Sequence, residues 1–148
     1  MTGLIFADSN LLIYAMDPNN RAKSRTSTVI IRESVAQMRL VISPQVLNEC
    51  YLILALKRKF LTAAEAYRYL QTSVRSCTAP VDVRTHAIAV SLERRHTLWW
   101  WDSVALASAV QAGYRFFVSE DMNDGQIIEQ IRIVNPFTPS ALTTLGLT

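Results

Sequence analysis

Four carboxylates stand in this chain where a solvated surface would not put them: Asp8, Glu49, Asp102 and Asp121. Asp8 directly follows Leu4-Ile5-Phe6-Ala7, an apolar run of the kind a buried parallel strand gives. Open α/β sheets bind ligands at the carboxyl ends of their strands, so Asp8 holds a site position, although aspartate there also serves as a helix cap. Asp121 closes a similar stretch, Arg115-Phe116-Phe117-Val118-Ser119-Glu120-Asp121, and comes beside Asp8 if the two strands are neighbours. Glu120 and Asp124 are competing acids nearby. Glu49 is the only acid between Val41 and Arg58; of its helical neighbours, Ile42, Val46, Leu52, Ile53 and Leu56 are apolar and Gln45 alone is polar. Asp102 repeats the pattern among Leu98, Trp99, Ala105, Leu106 and Ala109. A carboxylate on such a face is costly unless an arginine pairs it, a helix end uses it as a cap, or a metal binds it.

Four acids brought together repel one another, and a hard divalent cation, Mg2+ or Mn2+, is the natural compensation because it prefers oxygen ligands. One or two such ions would activate a water and neutralise charge developing on a phosphodiester. Basic residues would hold the rest of the polyanion, and the candidates are Arg21, Lys23 and Arg25, then Lys57, Arg58 and Lys59. Each cluster alone also fits a solvated helix end. The chain carries 15 basic and 12 acidic residues, net +3, and 12 of the 15 are arginines, the side chain suited to bidentate phosphate contact. That charge is uneven: residues 21–59 sum to +6 and residues 102–148 to −3.

Other chemistries find little support. Four glycines, Gly3, Gly113, Gly125 and Gly146, write neither a dinucleotide fingerprint nor a P-loop. His86 and His96 lie apart on helical segments, and no serine or cysteine stands in a nucleophile elbow. Cys50 and Cys77 lack metal-knuckle spacing and read as thiols of a reducing compartment. The longest wholly apolar run, Tyr51 to Leu56, is far short of the roughly 20 residues that span a bilayer, and no signal peptide opens the chain. A cytoplasmic protein with no membrane partner is expected.

The elements that must position the acids follow from periodicity and caps. At 148 residues, half of them hydrophobic, the chain has the size of one domain, residues 1–148. Strands are predicted over residues 4–7, 40–42, 77–81, 115–118 and 131–134, with Pro80 marking 77–81 as an edge. Helices are predicted over 11–16, 21–38, 44–59, 62–76, 83–95 and 101–112. Ser43-Pro44 opens the third, and Thr62-Ala63-Ala64-Glu65 writes a capping box for the fourth. Strands alternating with helices point to an α/β fold with a mainly parallel sheet covered on both faces.

The motifs, taken in order, resemble the PIN domain family, and within it the VapC-type ribonuclease toxins. "FADSNLLIYA" (6–15), "SPQVLNECYLIL" (43–54), "WWWDSVALASAVQAG" (99–113) and "FFVSEDMNDGQ" (116–126) resemble its four motifs, with Asp8, Glu49, Asp102 and Asp121 in the acidic positions. The resemblance implies a three-layer α/β/α sandwich and a carboxylate site for Mg2+ or Mn2+. It also implies single-strand-directed RNA cleavage, usually from a homodimer, and inhibition by a small antitoxin protein that wraps the domain and blocks the site. Ser9 or Ser119 would add a hydroxyl contact, Asn10 would orient Asp8, and Asp124 would bind a second ion through water. The tryptophans of Trp99-Trp100-Trp101 read as core packing before RNA stacking, with Trp100 the one to face a partner. Three alternatives stay open: an RNA-processing nuclease without an antitoxin, a non-catalytic nucleic-acid-binding module, and an aspartyl-phosphate phosphotransferase. The last expects an acid near position 10, where Asn10 stands, and a late lysine, whereas none follows Lys59.

Overall fold

The computed structural model describes residues 3–148. Its centre is a five-stranded sheet of order β2-β1-β3-β5-β4. β1 (Ile5–Ala7) lies between β2 (Leu40–Val41) and β3 (Phe116–Val118), both parallel to it, with Ile5 opposite Leu40 and Phe116. β5 (Ile131–Val134) runs parallel to β3, and β4 (Ile127–Ile128) closes the far edge antiparallel to β5. Every residue of β1 is fully buried, which requires cover on both faces of the sheet. Helices supply it. α1 (Ser9–Ala15) packs on α2 (Arg21–Ala36) and α3 (Pro44–Tyr51), α3 on α4 (Ala63–Gln71), and α5 (Val83–His96) on α6 (Trp100–Ala112). The result is the expected α/β sandwich with a mainly parallel sheet.

The core is built across strand neighbours. Phe6 and Phe117, opposite each other in the β1–β3 register, stack with centroids 5.0 Å apart, and Tyr114 tilts against Phe6 at 5.5 Å. Each such pair adds about 0.5–1.5 kcal/mol beyond its buried area. α6 is apolar nearly all round, and Ser103 through Ala109 are all buried, as befits a helix enclosed by its neighbours. The helix starts follow their caps: the Ser43 side chain accepts from Val46 N ahead of Pro44, both halves of the Thr62–Glu65 capping box form, and Asp82 caps α5 reciprocally with Thr85.

Three expectations are corrected. The helix predicted over 44–59 is α-helical only to Tyr51, and Leu52–Lys57 continues as a π-helix, with Arg58 N donating to Ile53 O at 2.8 Å. Val46, Cys50 and Leu54, four residues apart, keep one buried line across the change of helix type, and Leu52 and Leu56 are exposed. The strand predicted over 77–81 is a single parallel bridge between Ile42 and Cys77. The helix before it ends at Gln71, a 3-10 turn (Val74–Ser76) follows, and Pro80 has no N–H to extend a ladder. Two short elements were not anticipated: β4 and α7 (Ala141–Leu145). β4 joins β5 through Glu129 and Gln130, both left-handed (φ 50° and 71°), the conformation of a two-residue type I′ hairpin.

Candidate functional site

Each acid is delivered by a different element. Asp8 is the first residue past β1 and the cap of α1, so both readings of it hold together. Glu49 lies near the end of α3 and Asp102 in the first turn of α6, whose cap position is Trp99 and has no side-chain cap; Asp102 is therefore not the cap. Asp121 follows the carboxyl end of β3, the strand beside β1. The sheet order reverses between β1 and β3, since β2 lies on one side of β1 and β3 on the other. This is the switch point at which α/β sheets open a crevice. Asp8, Glu49, Asp102 and Asp121 all line one cleft of about 1000 Å3, together with Ser9, Pro44, Gln45, Asn48, Leu52, Val81, Trp99, Trp101 and Val104.

Neutral donors hold the carboxylates in place. Asp8 is 8% exposed; its Oδ1 accepts from Ser9 N at 2.8 Å and its Oδ2 from Ser119 Oγ at 3.0 Å. Glu49 accepts from Ser9 Oγ and from Gln45 Nε2, both at 2.8 Å. Asn10 Nδ2 reaches Ser119 Oγ at 3.3 Å and Asp121 Oδ2 at 3.2 Å. Asn10 thus orients Asp121 and not Asp8, a correction that follows from its place one residue further into α1, facing β3. Ser119 Oγ also accepts from Asp121 N at 3.2 Å, so one buried hydroxyl ties two of the acids together.

The electrostatics favour a cation. Burial, with the nearby charges of Glu49 and Asp102, pushes the Asp8 carboxyl up to about 7 against the bonds from Ser9 and Ser119. Burial, then Asp121 and Glu49, raises Asp102 to about 6. Two amide oxygens in this network, Asn10 Oδ1 and Gln45 Oε1, are buried without a hydrogen-bond partner. Buried orphan acceptors among crowded carboxylates are the donor set of a hard, oxygen-seeking ion. Among the described residues no three acidic, histidine or cysteine side chains close around one metal position. The residues therefore fit an open site, in which an ion takes one or two carboxylates directly and keeps several waters, the habit of Mg2+.

The remaining expected residues separate. Glu120 ion-pairs with Lys23, whose ammonium lies 4.8 Å from the Tyr14 ring centroid and 4.9 Å from that of Phe137. Lys23 is thereby committed within the molecule, and Glu120 does not line the cleft. Asp124 also lies outside the cleft lining and accepts from Asn135 N at 2.8 Å, which ties the loop before β4 to the residue after β5. Arg21 and Arg25 line a separate groove with Asp17 and Arg32. Lys57 and Lys59 are exposed, and Arg58, 4.0 Å from Asp17, is the one basic candidate that shares a cavity with Ser9, Asn10, Glu49 and Asp121. The tryptophan expectation reverses. Trp99 and Trp101 are 70% and 54% exposed on the cleft wall, whereas Trp100 is half-buried against His86. Gln45 was not foreseen as a site residue, although its position four residues before Glu49 is the helical spacing for such a contact.

No curated protein matches the sequence of this chain. The family model described as PIN domain matches residues 5–123, a span that contains all four cleft acids and the three strands β1, β2 and β3. With so much of its length matched, site included, the chain belongs to the PIN domain family.

Proposed function

We propose that this PIN domain is a Mg2+- or Mn2+-dependent endoribonuclease and the VapC-type toxin of a toxin–antitoxin pair, acting in the cytoplasm as a homodimer. PIN domains are in general nucleases, hydrolases acting on nucleic acids, and typically use divalent metal ions. The observation that carries the reading is the convergence of Asp8, Glu49, Asp102 and Asp121 on one cleft, with Asp8 pushed to about 7 by burial and by its acidic neighbours.

In this reading one or two of the four carboxylates would hold the cation directly and the others through water, and Ser9, Ser119, Asn10 and Gln45 fix their orientation. A divalent cation bound there supplies Lewis-acid polarisation of the phosphate and a water of lowered pKa. Hydrolysis would add a water oxygen to phosphorus and break a P–O ester bond, with one proton of the water going to the departing oxygen and the other released to solvent. Arg58 borders the acids and meets an adjoining phosphate. The rest of the Arg21–Arg25 and Lys57–Lys59 surface contributes sequence-independent attraction to RNA.

Purified protein incubated with structured RNA and Mg2+ or Mn2+ should cleave it, and Asp8→Asn and Asp102→Asn should each cut the rate by about 100-fold or more. Equal cleavage by wild type and both variants would overturn the assignment. Equal cleavage of single-stranded DNA would remove the ribonuclease part and leave a general nuclease.

A further inference from the structure

Three features of the cleft wall stand apart from its acids. Trp99 and Trp101 are exposed within it, although tryptophan is among the residues most buried on average. Leu52 and Val81, also exposed, extend the same apolar wall. The lining of this cleft includes no lysine or arginine; Arg58 approaches it only from the adjoining cavity that shares Ser9, Glu49, Leu52 and Asp121. The sequence makes this wall in two ways. Leu52, two residues past Cys50, lies on the far side of the helix from the core line of Val46, Cys50 and Leu54. At the start of α6, Trp99 precedes the first helical turn and Trp101 lies within it, while Trp100 between them turns inward to His86.

We propose that Trp99 and Trp101 form a stacking platform for unpaired nucleobases beside the scissile phosphate, and so are the side chains by which this chain holds the unpaired RNA that its family resemblance implies as substrate. The inference rests on the nuclease reading of the same cleft. Trp101 and Asp102 are consecutive and line the same cleft, so a base resting on Trp101 belongs to a nucleotide close to the phosphate that reacts at the acids. A base held in a duplex presents no free face to an indole ring, whereas a splayed base presents two. The indole surface adds a grip on the bases to the hold that Arg58 has on the phosphates from the adjoining cavity. Trp99 and Trp101 are positioning residues in this scheme and take no part in bond making.

Tryptophan fluorescence of the wild type, and anisotropy of an end-labelled tetraribonucleotide for the wild type and every variant, both with Ca2+ replacing Mg2+ to suppress turnover, test the platform. Quenching should saturate, and Trp99→Ala and Trp101→Ala should each weaken binding about tenfold, near the lower end of what one base–aromatic stack is worth. Trp99→Phe and Trp101→Phe should recover most of that loss, which a merely structural defect would not allow. An abasic analogue with the same phosphates should bind the wild type as weakly as the intact oligonucleotide binds the double alanine variant. In turnover on unpaired RNA, the alanine variants should raise KM and leave kcat within about threefold. Oligonucleotide affinity unchanged in the double alanine variant would overturn the proposal and leave the wall as a protein-docking surface. Equal binding of the abasic and intact oligonucleotides would overturn it as well. A wild type that binds bases in this pattern but cleaves no RNA would instead sink the nuclease reading and keep the platform.

Discussion

Asp8 is a carboxyl group whose proton is held by its surroundings. The unfolded chain releases it near 3.8 and the native chain near 7. Between those values folding takes up a proton, so this group's contribution falls as pH rises through the window and returns on acidification. This is opposite in sign to an exposed acid such as Glu65 or Asp82, which hydrogen bonds hold below the usual range. In metal-free protein, Asp8→Asn should therefore be more stable than wild type at pH 8, by on the order of 2–4 kcal/mol, with the gap closing towards pH 4. Chemical denaturation of both proteins at a series of pH values in the presence of EDTA measures it. A gap that does not vary with pH would show that Asp8 ionises normally in the folded chain. The same residue illustrates what the sequence could reveal. Its place after an apolar run was legible from residue types alone, whereas its bond from Ser119, 111 positions away, depends on strand order. Asn10 misled for the same reason, because its partner Asp121 is near only once β1 and β3 pair.

At the scale of elements, caps and periodicity were good guides where chemistry marks them. Ser43-Pro44, the Thr62–Glu65 box and Asp82 each start a helix as expected. The π-helix after Tyr51 was invisible because Leu52–Leu56 is uniformly apolar, and a run without alternation carries no period to read. β4 was hidden by its turn. Glu129 and Gln130 adopt the left-handed pair that Asn-Gly would have announced. That choice carries strain, since a residue with a Cβ in the left-handed region costs about 1–2 kcal/mol. Gln130→Gly should raise stability by about 0.5–1 kcal/mol after the added freedom of the unfolded glycine is counted, read as a shift of the urea midpoint at constant slope. A loss of stability would mean that the Gln130 side chain holds the hairpin in a way its backbone does not show. Nuclease activity should be untouched, because the hairpin lies outside the cleft lining.

For the whole molecule, the four acids make the empty cleft a source of repulsion and the filled cleft a tie between elements. Metal that binds only the native chain stabilises it by mass action, about 2.7 kcal/mol at a hundredfold excess over Kd. Mg2+ or Mn2+ should raise Tm in a concentration-dependent way at pH 8 and less at pH 6, where protons compete at Asp8 and Asp102. Thermal melts with each ion and with EDTA provide the measurement, and a Tm indifferent to both ions would remove the cation from the site.

The position of β3 in the sheet has a consequence in time. β1 is made first, yet its inner neighbour is β3, residues 116–118, and until that segment exists β1 can pair only with the two residues of β2. Asp121 follows three residues later. A chain still emerging from the ribosome therefore lacks both the strand that closes the centre of the sheet and the last acid of the cleft. Under the nuclease reading, a polypeptide being translated cannot cut the message that encodes it until residue 121 has been made, has left the ribosome and has joined the fold.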